Sequence, residues 1–95
     1  MRAILFGLGN YYSRFRKYFR DEDIVVLCDN NKEQHGKIID GKRVISPEEI
    51  CKYEYDKVYI LSSYVQEIRA QLLDLGINED KIEVFFNISI GSNNV

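Results

Sequence analysis

The sequence predicts an α/β domain built on a parallel sheet of about four strands. Short apolar runs (residues 2–6, 24–28, 57–61 and 82–86) alternate with stretches of helical period. The first run opens into Gly7-Leu8-Gly9, and the second ends on Asp29, 20 residues after Gly9. A strand, a Gly-x-Gly turn, a helix and a second strand ending on an acid form the layout of a dinucleotide-binding βαβ unit. In such a unit glycines let the backbone turn tightly and approach a pyrophosphate. The helix start offers unpaired N–H groups, and the acid accepts from ribose hydroxyls.

The elements follow in order. Residues 2–6 make a strand, and residues 10–20 a helix with Tyr12, Phe15 and Phe19 on one apolar face. Residues 24–28 are continuously apolar, as suits a parallel strand covered on both faces. A polar loop over 29–36 leads to residues 37–39 and 42–45, which flank Asp40-Gly41, a pair favouring a two-residue type I′ hairpin. Ser46-Pro47-Glu48-Glu49 is a helix start, with Ser as N-cap, Pro at the first position and Glu in capping-box spacing. That helix is short, ending near residue 52 or 53. Residues 57–61 form the third strand, and a helix opens at Ser62-Ser63, with Ser63 and Gln66 in capping-box spacing. Val65, Ile68, Leu72 and Leu75 make its buried stripe, and Gly76 stops it. The fourth strand covers 82–86.

With right-handed crossovers the expected strand order is 2-1-3-4, the hairpin being an insertion. The crevice at the carboxyl ends then gathers Gly7, Leu8, Gly9 and Asn10, Asp29 and Asn30, and Ser62, Ser63 and Tyr64. Residues 1–87 are expected to form the module, and residues 88–95 a tail or the start of a linker.

The 95 residues suffice for one core, and 45% hydrophobic content places the chain among folded proteins. A domain of this size often completes its burial by dimerising or docking. The net charge is −2, with five basic residues and no acid in the first twenty positions. An acidic chain argues against a nucleic-acid partner. The basic cluster suits a phosphate-bearing ligand, or, for Lys17 and Arg20, the last turn of the first helix. Cys28 and Cys51 read as reduced core thiols. No leader pattern or apolar run approaching 18 residues is found, so a cytoplasmic chain without membrane insertion is expected.

Each candidate site has two readings. Gly7 and Gly9 either serve a ligand or only shape a tight turn. Asp29 accepts from a ribose or holds its own loop through an Asx-turn. Ser62 and Ser63 line the crevice or cap the following helix. His35, the one histidine, reads as a solvated loop residue. Tyr11, Tyr18, Tyr53, Tyr55, Tyr59 and Tyr64 mostly suit half-buried packing with a wet hydroxyl, the other reading being a partner surface. There is no nucleophile elbow, Cys-His arrangement, paired pocket carboxylates or metal cluster, so any activity is expected to lie in a partner or fused domain.

Taken together, several segments carry a resemblance: Phe6-Gly7-Leu8-Gly9-Asn10-Tyr11, Leu27-Cys28-Asp29-Asn30-Asn31, His35-Gly36-Lys37, residues 41–49, Tyr59-Ile60-Leu61-Ser62-Ser63 and Leu75-Gly76-Ile77. Over about residues 2–86 this set resembles the Rossmann-like nucleotide-binding modules of bacterial surface-polysaccharide biosynthesis proteins. Such modules occur fused to sugar acetyltransferases, nucleotide-sugar dehydratases, glycosyltransferases and methyltransferases. The resemblance implies that Gly7 and Gly9 shape the turn, Asn10 and Tyr11 offer N–H groups, and Asp29 accepts from ribose with Asn30 beside it. Ser62 and Ser63 form the far wall. It implies a nucleotide-sugar or NAD-type dinucleotide as ligand, and a homodimer or fused catalytic domain as partner. The sequence departs from the pattern at Tyr12, where a small residue ordinarily allows close helix–strand packing. A Tyr12 ring filling the phosphate space would leave a degenerate domain used for dimerisation or docking without a ligand.

Overall fold

The computed structural model describes residues 1–84. The chain runs through β1 (Ala3–Phe6), α1 (Asn10–Phe15), β2 (Ile24–Cys28), β3 (Ile38–Ile39), β4 (Lys42–Ile45), β5 (Lys57–Ile60), α2 (Val65–Asp74) and β6 (Ile82–Glu83). Six strands form one sheet in the order β3-β4-β2-β1-β5-β6, parallel except for β3, which pairs antiparallel with β4. The α/β class is as the sequence predicts, but the sheet has six strands rather than about four. The expected 2-1-3-4 run is present as β2-β1-β5-β6, and the hairpin expected as a separate insertion lengthens the order at the β2 edge. The hairpin joins the sheet because β4 lies parallel to β2, with Leu27 opposite Val44 and Cys28 opposite Ile45. Val44 and Ile45 are both buried there, an apolar gain an isolated hairpin would lack.

Strand β1 sits near the middle, and all four of its residues are buried. Its side chains alternate between two faces. Ile4 and Phe6 join Val26, Ile60, Ile68 and Leu72 beneath α2, whereas Ala3 and Leu5 join Leu27, Val44 and Tyr12 beneath α1.

The first helix is shorter than expected. After Phe15 the chain tightens into a 3-10 turn over Arg16–Tyr18, and Phe19 is extended. Phe19 instead packs its ring edge-on against Tyr59, with centroids 4.9 Å apart. Arg20 therefore lies outside the helix and pairs with Glu22 rather than complementing a dipole.

The Asp40-Gly41 turn has positive φ at both positions, 52° and 79°, as a type I′ hairpin requires. The capping box of Ser46 and Glu49 forms, and the segment it starts, Pro47–Lys52, is a 3-10 helix throughout. Residues three apart eclipse in that geometry, so Pro47 and Ile50 are buried together. Cys51 is turned to solvent, which corrects the expectation of a core thiol; Cys28 is buried.

Helix α2 begins at Val65 with Tyr64 as N-cap and without the expected Ser63–Gln66 box. Ser62 Oγ accepts from the Tyr64 N–H at 3.1 Å instead. The helix ends in a Schellman motif, in which Gly76 (φ 88°) donates to Leu73 O and Ile77 to Leu72 O. Ile77 is thereby buried against Leu72, while Leu75, expected in the buried stripe, is exposed. Strand β6 covers Ile82–Glu83; the remainder of the expected strand and the tail at 88–95 lie outside the described residues. Among the described residues no helix is long and apolar enough to cross a membrane.

Candidate functional site

The carboxyl ends of β1, β2 and β5 open into a cleft of about 470 Å³. Its walls come from residues 6–11, from Asp29 and Asn30, from residues 61–64, and from Glu67, Ile68 and Gln71 of α2. All eight residues singled out from the sequence (Gly7, Gly9, Asn10, Tyr11, Asp29, Asn30, Ser62 and Ser63) line it. Parallel strands bring this about, because their loops of one kind all emerge at one edge of the sheet.

The two glycines differ. Gly7 has φ 118°, and a Cβ there would stand 2.3 Å from the Leu61 carbonyl oxygen. Its N–H donates to Cys28 O at 2.8 Å, and the positive φ together with the close Leu61 carbonyl is what requires glycine here. At Gly9 a Cβ would meet nothing within 4 Å, leaving an open approach to the backbone. The Gly9 carbonyl accepts from the Ser13 N–H at 3.2 Å. The N–H groups of Gly9 and Asn10 precede the first helical bond and have no partner among the described residues.

Asp29 serves the loops around it. Its Oδ2 accepts from the Leu8 N–H at 2.9 Å, tying down the glycine turn, and its Oδ1 accepts from the Asn31 N–H at 2.8 Å, closing an Asx-turn. A carboxylate has about four acceptor positions, so about two are left unused by these bonds. Asn31 in turn caps Lys32–Gln34 by accepting from the Glu33 N–H at 3.0 Å. His35 is not a solvated loop residue. It is half-buried, and its Nε2 lies 2.7 Å from the Asp29 carbonyl, to which it donates. This backbone bond fixes the tautomer of the ring and fastens the loop after β2.

Tyr12 does not line the cleft. Its ring lies beneath α1 among Ala3, Leu5 and Leu27, 7% exposed, and its hydroxyl donates to Asp40 Oδ2 at 2.6 Å. Burial, then the bond to Asp40, pushes the Tyr12 pKa up to about 12. Tyr12 is the one buried residue of the six-residue α1. The basic residues of the first segment also point elsewhere. Arg16 pairs with Asp21 at 2.8 Å, Arg14 lies over Phe15, and Lys17 lies over Tyr18. Among the described residues no lysine or arginine lines the cleft, and the carboxyl side chains lining it are Asp29 and Glu67.

Sequence reasoning missed the α2 wall. Gln71 exchanges two hydrogen bonds with Asn30, and Glu67 and Ile68 lie one turn before it. The period that places Ile68 and Leu72 in the core also brings position 71 to the edge of that stripe, but its partner lies 41 residues away. The tyrosines divide: Tyr11, Tyr53, Tyr55 and Tyr59 are half-buried as expected, whereas Tyr18 and Tyr64 are more than 60% exposed.

Comparison with known proteins adds three findings. Among curated proteins none matches this chain. A solved structure described as RSP, a Rex-family repressor, is similar in fold, with 18% identity and a TM-score of 0.55. The match covers 98% of this chain and 59% of that protein, so the chain spans somewhat over half the length of its structural neighbour. A family model described as C2185-like, N-terminal, matches residues 1–83. The chain belongs to this C2185-like N-terminal family.

Proposed function

We propose that the chain is a non-catalytic, Rossmann-like nucleotide-binding module, whose ligand is a nucleotide-sugar or an NAD-type dinucleotide held in the cleft. The observation that carries this reading is the convergence of three separate segments, 7–11, 29–30 and 62–63, on one crevice at the carboxyl ends of parallel strands. Gly9 leaves the backbone open to a phosphate, the N–H groups of Gly9 and Asn10 are the donors, and Asp29 keeps acceptor positions for ribose hydroxyls. The fold shared with the repressor supports the Rossmann-like assignment.

The degenerate, ligand-free reading turned on a Tyr12 ring filling the phosphate space. The burial of that ring beneath α1, outside the cleft lining, supports the binding reading instead. Chemistry would come from a partner or a fused catalytic domain, and the polysaccharide-biosynthesis setting and homodimer remain part of the proposal on the strength of the sequence resemblance. A cytoplasmic location is part of the same proposal, on the sequence pattern given above.

Thermal unfolding with NAD, coenzyme A, and UDP- and CDP-sugars tests the proposal. A ligand at 100 times its dissociation constant adds about 2.7 kcal/mol. Each kcal/mol raises the midpoint of a domain this size by roughly 4–8 °C. A midpoint unmoved by every nucleotide would overturn the proposal. A titration with duplex DNA is expected to be flat, since the chain is acidic and its first-segment cations are paired or stacked.

A further inference from the structure

One end of the cleft is spanned by a pair of side-chain amides. Asn30 Nδ2 donates to Gln71 Oε1 at 3.0 Å, and Gln71 Nε2 donates to Asn30 Oδ1 at 2.8 Å. Asn30 follows Asp29 at the end of β2, and Gln71 projects from α2. Both line the cleft, and neither takes part in the bonds that hold the glycine turn. A carboxamide presents a donor and an acceptor side by side, so each of these two reads the edge of the other. A nucleobase edge carries the same pairing: adenine sets an exocyclic N–H beside a ring nitrogen, and uracil sets its N3–H beside a carbonyl. Ile68, one turn before Gln71 on the same helix face, lines the cleft as an apolar surface next to the pair.

We infer that Asn30 and Gln71 are the base-reading end of the cleft. In the free protein the two amides satisfy each other; on binding they exchange partners for the adjacent donor and acceptor of a nucleobase. The inference rests on the nucleotide reading given above. Three features support it. Asn30 directly follows Asp29, the ribose acceptor of that reading, and both line the same cleft as Gln71. The pair is accessible to solvent, so opening it leaves no buried polar group without a partner. Among the described residues the cleft has no cationic side chain, so discrimination among nucleotides falls to neutral groups that match hydrogen-bond patterns.

The test is isothermal titration of the full chain with ADP and UDP and with analogues whose base edge is blocked, N6,N6-dimethyl-ADP and N3-methyl-UDP. The parent nucleotide that fits is expected to bind about 5- to 150-fold more tightly than its blocked analogue, the range of a bidentate amide contact. Gln71→Leu should bring that ratio close to one, and Asn30→Ala should do the same from the other wall. A role confined to holding α2 would lower the thermal midpoint of both variants and leave the ratio at its wild-type value, and that result overturns the inference. Equal binding of parent and analogue by the wild type overturns it as well, while leaving the nucleotide site standing. Failure of all four to bind overturns the inference, and the thermal panel of NAD, coenzyme A and nucleotide-sugars then decides the nucleotide reading separately. Whichever parent shows the preference identifies the base.

Discussion

The Tyr12 hydroxyl donates to Asp40 Oδ2 at 2.6 Å, joining α1 to the hairpin turn across 28 residues of chain. The position that departs from the glycine-rich pattern thus anchors the helix on the side away from the cleft. It ties α1 to the hairpin at the edge of the sheet. Arg16 and Lys42, both reaching Asp21, reinforce the same seam at 2.8 and 3.8 Å.

Removing the Tyr12 hydroxyl therefore costs stability. Tyr12→Phe is expected to lose about 1.5–3 kcal/mol, the scale of a hydrogen bond to a charged group. Because the folded-state pKa of Tyr12 lies above the ordinary value of 10, its contribution is present in full below pH 10. It is lost as pH rises toward about 12. Burial raises Tyr55 and Tyr59 too, so the informative quantity is a difference. The gap in urea midpoint between wild type and Tyr12→Phe should narrow from pH 9 to pH 12; a constant gap contradicts the coupling.

Gly7 and Gly9 should separate folding from binding. Gly7→Ala drives a methyl group into the Leu61 carbonyl at a backbone angle that disfavours side chains. It should destabilise by about 2–4 kcal/mol, overpacking and strain together. Gly9→Ala meets open space and should change stability by less than about 1 kcal/mol. Its effect should instead be a weaker nucleotide complex, read by titration. Equal destabilisation by the two substitutions would contradict the geometry.

Asp29→Ala is expected to destabilise the domain with no nucleotide present. Two backbone amides, those of Leu8 and Asn31, lose a charged acceptor, at a cost of about 2–4 kcal/mol. A denaturant curve without ligand is the measurement. An unchanged midpoint would show that water replaces the carboxylate at both amides.

The two thiols should differ in reactivity. Burial and the carboxylate of Asp29 push the Cys28 thiol pKa upward, which leaves little thiolate, whereas Cys51 is exposed. A thiol reagent should modify one equivalent rapidly in buffer and the second only in denaturant. Two fast equivalents would place Cys28 within reach of solvent.

Much of this architecture was legible from local pattern. The run at 24–28, the Asp40-Gly41 turn and the Ser46–Glu49 box are governed by side chains and angles within a few residues of each other. Period and turn chemistry therefore reveal them. The crevice was legible too, since parallel strands with intervening helices present their carboxyl-end loops together. Local pattern misled where a short segment had two permissible geometries. Pro47–Lys52 took the 3-10 form, which turned Cys51 outward, and α1 stopped at Phe15.

The sequence by itself determined the alternation of strands and helices, the glycine turn, and which residues crowd the carboxyl ends of the sheet. Only the tertiary structure decided that the hairpin would extend the sheet, that Tyr12 would turn away from the cleft toward Asp40, and that Gln71 would meet Asn30 across it. The physical reason is distance along the chain. Periodicity reports which face of an element is apolar, whereas a hydrogen bond spanning 28 or 41 residues exists only once two faces have been packed to within 3 Å.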